Sequence, residues 1–149
     1  MAKPTKDGLN KPAEGSSKSP AAKSSEGKGT LIYVIDDELS VGEAIKMVLE
    51  SEGYRTRFFV DPALALSKFK AAEPRPRLLV TDYVMTPING MELIDRCLKI
   101  DSTLKTILIS GSVSSEIASL YQAKPSFFLS KPFSPNELSS AVAALLKAK

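Results

Sequence analysis

Histidine is absent from this chain of 149 residues. That absence removes imidazole ligation of zinc, serine–histidine catalysis and any phosphohistidine carried on the chain itself. Cysteine occurs once, at Cys97. A lone thiol makes no internal disulfide and no thiolate cluster, so the expectation is a cytoplasmic chain with Cys97 on the buried face of a helix. No run approaches the roughly eighteen apolar residues of a membrane span, so none is expected. The amino terminus, MAKPTKDGLNKPAEGSSKSP, lacks the apolar centre of a secretion signal.

A surplus of one charge is also missing once the chain is divided. The net charge of +3 belongs to residues 1–29, which hold six of the 20 basic and three of the 17 acidic residues. Residues 30–149 hold 14 of each. The folded part therefore carries no nucleic-acid signature by charge. Residues 1–29 also have almost no large apolar side chain and cannot offset their ordering entropy. They are predicted to be a disordered basic tail, with one folded domain over 30–149.

From Leu31 onward, strand-like and helix-like segments alternate. Leu31 to Ile35 is apolar on both faces, as in a central parallel strand. Val41, Ala44, Ile45, Val48 and Leu49 make one helical stripe that ends near Gly53. Tyr54 to Val60 alternates like an edge strand, and Asp61-Pro62 opens a helix through Ala72. Leu78 to Thr81 is the third predicted strand, with a helix after Gly90 carrying Met91, Ile94, Cys97 and Leu98 inward. Thr106 to Ile109 and Phe127 to Leu129 are further strands, flanking a helix from Ser114 to about Ala123. Ser134-Pro135 starts the last helix, with Leu138, Ala141, Val142 and Leu145 at helical spacing. Five such units predict an α/β fold: a doubly wound, five-stranded parallel sheet of order 2-1-3-4-5, the flavodoxin-like arrangement.

The chemistry gathers at strand ends. Asp36 and Asp37 close the first apolar run, Asp82 closes the third, and Lys131-Pro132 follows the fifth. In a parallel sheet these carboxyl ends open onto one crevice. Three carboxylates together repel one another and favour a divalent cation, while a lysine beside them favours an anion. A hard metal and a transferable phosphoryl group satisfy both demands. Singly, each residue has a plainer reading: an acid at a strand end caps a helix or turn, and Phe128 is core.

Ile35-Asp36-Asp37-Glu38, Asp82, Gly90, Ser110-Gly111 and Lys131-Pro132-Phe133, in that order, resemble the CheY-like receiver domain of two-component response regulators. The resemblance covers roughly residues 30 to 147. It implies that Asp82 is the phosphoacceptor, and that Mg²⁺ is held by Asp37 and Asp82, by Asp36 through water, and by the backbone carbonyl of Val84. It further implies that Lys131 pairs with Asp82 and then with the phosphoryl oxygens. Ser110 and Phe128 match the family's switch hydroxyl and switch aromatic. A cis bond is implied at Lys131-Pro132.

With no histidine here, the implied donor is a sensor histidine kinase, a histidine phosphotransfer protein or acetyl phosphate. The last predicted helix runs almost to Lys149, so the expected output is binding to a downstream protein, with no direct nucleic-acid or membrane contact and no enzymatic activity beyond the domain's own phosphorylation and dephosphorylation. Two departures stand out. The family usually places proline directly after the methionine that here is Met85, whereas this chain has Thr86 and then Pro87. Val84 and Ser112 offer no carboxylate or amide to orient a hydrolytic water, which predicts a long-lived acyl phosphate. The competing readings are a receiver-like scaffold that binds partners without phosphorylation, and an aspartate-nucleophile phosphatase. The second expects an Asp-x-Asp pattern on the first strand, where this chain has Asp36-Asp37-Glu38.

Overall fold

The computed structural model describes residues 29–111, 119–122 and 124–147. Its strands are β1 (Leu31–Ile35), β2 (Arg55–Phe59), β3 (Leu78–Asp82), β4 (Lys105–Ser110) and β5 (Phe127–Ser130). Its helices are α1 (Leu39–Ser51), α2 (Pro62–Ala71), α3 (Gly90–Ile100) and α4 (Pro135–Lys147). The strands form one parallel sheet of order β2-β1-β3-β4-β5, which is the predicted order. Residues 1–28, Ser112 and most of the predicted helix from Ser114 to Ala123 lie outside the described residues. Residues 119–122 are turn and bend where helix was expected.

Strand alternation sorts the core into two layers. Tyr33 and Ile35 of β1 face Phe69, Met91, Ile94 and Cys97 on α2 and α3. Ile32 and Val34 face Ile45, Leu49, Leu138 and Val142 on α1 and α4. Both sides of β1 are therefore buried, which is why its sequence reads as a continuous apolar run. Each fully buried side chain of this size contributes about 1.5–3 kcal/mol relative to exposure.

Local chemistry fixes the helix ends. Asp61 caps α2 by accepting from the Ala63 amide at 2.9 Å, with Pro62 at the first helical position. Gly53, at φ 99°, closes α1: its amide donates to Glu50 and the Tyr54 amide donates to Leu49. That pair of bonds is the Schellman arrangement, which favours glycine at the left-handed position. Gly90 is the first residue of α3 rather than its predecessor; Asn89 caps it, accepting from the Glu92 amide while the Glu92 side chain accepts from the Asn89 amide. The Asn89-x-x-Glu92 spacing is a capping box legible in the sequence.

Candidate functional site

The carboxyl ends of β1 and β3 lie side by side, since Ile35 pairs with Thr81. Asp36 therefore leaves β1 next to Asp82, the last residue of β3. Ligand oxygens of Asp36, Asp37 and Asp82 all lie within 4.8 Å of one another. Asp36 is fully buried, Asp82 is 6% exposed, and Asp37 faces solvent. On the far side, β4 and β5 bring in the cation: the Lys131 amide donates to the Ser110 carbonyl at 3.0 Å. The Lys131 ammonium reaches the Asp82 carboxylate at 3.1 Å.

The electrostatics are asymmetric. One oxygen of Asp36 accepts from the Glu38 amide at 2.9 Å, and the other is buried with no hydrogen-bond partner. Burial, together with the charges of Asp82 and Asp37, raises its pKa from 3.8 to about 6 against the opposing pull of the Glu38 amide and Lys131. That shift corresponds to a penalty on the order of 3 kcal/mol on the charged form. For Lys131, burial pulls the pKa down, but the hydrogen bond it donates to Asp82 and the charges of Asp82, Asp36 and Glu38 hold it above its usual value. Glu38, the third acid of the run, thus adds to the field on Lys131.

This donor set fits a hard divalent cation. Three carboxylates supply only oxygen, one of them presents a buried unpartnered oxygen, and one is open to water. Magnesium favours such a site because it retains several waters and shares its sphere with phosphate oxygens.

The other expected residues are placed as follows. Ser110 ends β4, one residue beyond Ile109, which pairs with Asp82. Val84 lies two residues past Asp82, with its side chain 68% exposed. Phe128 sits on β5 and is 40% exposed, so it faces outward instead of joining the core. The Lys131-Pro132 bond is cis, as the resemblance implied, and Glu73-Pro74 and Thr86-Pro87 are cis as well.

The 83–90 connection after Asp82 is tied at both ends. The Tyr83 amide donates to Ile109 at 2.9 Å and the Gly90 amide donates to Tyr83 at 2.8 Å. Met85 turns inward, 5% exposed, with its sulfur 3.9 Å from the Thr81 hydroxyl. The altered Thr86-Pro87 spacing leaves this loop closed onto α3. One contact had no sequence signal: the Asn89 side chain donates to the Tyr121 hydroxyl at 3.1 Å, across a separation of 32 residues.

By fold and by site, this is a doubly wound domain with an acidic, lysine-bearing crevice at the carboxyl ends of its strands. The chain belongs to the response regulator receiver domain family, whose pattern matches residues 32–143. It is 29% identical over 132 residues to the chemotaxis protein CheY of Treponema pallidum, covering 86% of this chain and 90% of that protein. It is likewise 29% identical over 117 residues to the DNA-binding response regulator MtrA of Mycobacterium tuberculosis H37Rv, covering 78% of this chain and 50% of the relative. The chain thus spans about half the length of that second relative. Among solved structures, a CheY-like receiver domain protein from Methanospirillum hungatei superposes with a TM-score of 0.73 at 25% identity, over 79% of this chain and 94% of that one. A response regulator from Chloroflexus aurantiacus gives 0.71 at 28% identity, over 80% and 99%. No helix among the described residues is long and apolar enough to cross a membrane.

Proposed function

We propose that this receiver domain accepts a phosphoryl group on Asp82 from a phosphohistidine of another protein and so alters a protein-binding surface. The observation that carries the reading is the convergence of Asp36, Asp37 and Asp82 within 4.8 Å, with the Lys131 ammonium 3.1 Å from Asp82. The Asp82 carboxylate attacks phosphorus; an O–P bond forms, the P–N bond to the donor imidazole breaks, and the released nitrogen takes up a proton. Asp37 and Asp82 would hold Mg²⁺ directly, Asp36 would do so through water, and the Val84 carbonyl would complete the protein ligands. The bound ion supplies neutralisation of charge on the phosphoryl oxygens. Lys131 exchanges its contact with Asp82 for those oxygens, a charge-assisted hydrogen bond in either state.

The switch follows from one new charged group beside a movable hydroxyl. Ser110 turns its hydroxyl to the phosphoryl group, and Phe128 leaves its outward position for the space vacated. The surface of β5 and α4 is then the part that a downstream protein reads. The donor is a sensor histidine kinase or a histidine phosphotransfer protein, with acetyl phosphate as the small-molecule substitute. The domain's catalysis is confined to its own phosphorylation and dephosphorylation, it makes no direct contact with nucleic acid, and it works in the cytoplasm.

Incubation with Mg²⁺ and acetyl phosphate, followed by intact mass, tests this. Wild type gains one phosphoryl group, Asp82→Asn gains none, and a chelator blocks the gain. Equal gain in both proteins, or none in either, contradicts the reading.

A further inference from the structure

The folded part is neutral in sum but not in distribution. Its carboxyl end holds Asp36, Asp37 and Asp82, and its amino end holds cations. There the strand starts are fastened in a row: the Arg55 amide donates to Thr30 at 2.9 Å, Arg77 to Leu31 at 3.0 Å, and Lys105 to Arg77 at 3.1 Å. Arg55 starts β2, Arg77 directly precedes β3 and Lys105 starts β4, so Arg77 and Lys105 stand at the starts of neighbouring strands, about 4.8 Å apart, with β1 between them and Arg55. β5 joins the row through reciprocal bonds between Thr106 and Ser126, each backbone amide donating to the other's hydroxyl at 2.9 and 3.0 Å. Lys124 lies just before it.

Between the 73–77 and 101–105 connections this edge is recessed into a groove of about 930 Å³. Its apolar lining includes Leu98 and the buried Pro76 and Leu104, and Arg77, Lys105 and Lys124 line it too. None of these three cations pairs with a described carboxylate. Arg75 is committed elsewhere, donating to the carbonyls of Phe69 and Lys70 at 3.1 and 3.2 Å. Of the two acids lining the groove, Asp101 is occupied by the amide and hydroxyl of Thr103 at 3.0 and 2.6 Å; Glu73 is exposed.

The geometry points to a second docking surface, at the amino end of the sheet, for an acidic, extended segment of a partner protein. Charge complementarity selects the acid, since unpaired cations outnumber unsatisfied acids in the groove. The recess and its apolar lining select an extended peptide bearing apolar side chains. A flat anionic bilayer does not enter a recess of this kind. A single-stranded nucleic acid would meet no aromatic side chain here on which to stack its bases. The surface lies at the opposite end of the strands from Asp82 and does not depend on phosphorylation there.

The test uses the full chain and a short synthetic peptide of glutamates interrupted by leucines, followed by fluorescence anisotropy and by amide NMR shifts. The expected shifts fall at residues 75–77 and 101–105. The exposed pair Arg77→Glu with Lys124→Glu weakens binding by roughly tenfold or more, as loss of complementary charges does. Lys68→Glu, an exposed cation on α2, and Asp82→Asn leave the affinity unchanged. Shifts confined to residues 1–29, full affinity in the double variant, or tighter binding to a single-stranded oligonucleotide or to anionic vesicles would each overturn the proposal. Because the readout ignores Asp82, its failure is distinct from failure of the phosphorylation reading.

Discussion

Gly90 lies so close beneath Asp82 that a Cβ added to it would overlap the Asp82 backbone carbonyl and stand 2.8 Å from a methyl of Leu108. The first turn of α3 therefore fixes the height of the strand end that carries Asp82. Gly90→Ala is expected to cost about 1–3 kcal/mol of stability in urea unfolding, the usual range for overpacking a tight site. Gly111→Ala serves as the control: its Cβ would meet only Lys131, at 4.0 Å. A surface change of that kind stays within about 0.5 kcal/mol. Equal effects of the two substitutions would contradict the account of Gly90.

Asp36 stores the opposite kind of cost. Its charge is buried and one oxygen is unpartnered, so at neutral pH without metal it works against folding. Asp36→Asn keeps the acceptor for the Glu38 amide and removes the charge. In chelator it is expected to raise stability by about 1–3 kcal/mol, the scale of an unsatisfied buried group. Mg²⁺ affinity, followed by titration, falls in the same variant. A variant that is less stable than wild type in chelator contradicts this.

How much of this was legible in the sequence follows from what each signal depends on. Asp36, Asp37 and Asp82 could be read because each terminates an apolar run, and parallel strands bring their carboxyl ends together whatever the loops do. The right-handed crossover leaves few strand orders, and the one expected among them, 2-1-3-4-5, is the order observed. Phe128 could not be placed: its type says core, while its exposure depends on residues packed against β5 from elsewhere in the chain. The Asn89–Tyr121 hydrogen bond and the basic groove were invisible for the same reason. They join connections that are distant in sequence and carry no spacing rule.

Cys97 was expected on the buried face of a helix, and on α3 it is fully buried. Desolvation pushes its thiol from 9.0 to about 12. The sign follows: the folded chain holds this proton more tightly, so its contribution to stability is complete below pH 9. It is lost as pH rises toward 12. At neutral pH the native thiol should therefore resist iodoacetamide and react only on unfolding. Rapid labelling of the native chain would contradict the burial.

Val84, two residues past Asp82, carries an exposed, apolar side chain that offers no group to orient a water. The acyl phosphate is accordingly expected to be long-lived after removal of the donor, and Val84→Asn to shorten its lifetime severalfold. Phosphate release on a phosphorylated sample measures both. A native half-life of seconds would count against the reading.

The central claim is that Asp82, among three clustered aspartates, is the one that carries the phosphoryl group. Borohydride reduction of the acid-quenched phosphoprotein converts an aspartyl phosphate into homoserine, and peptide mass mapping then locates it. The account predicts homoserine at position 82 alone, and none when Mg²⁺ is chelated. Homoserine at 36 or 37, or at no position in protein that has gained phosphoryl mass, contradicts it.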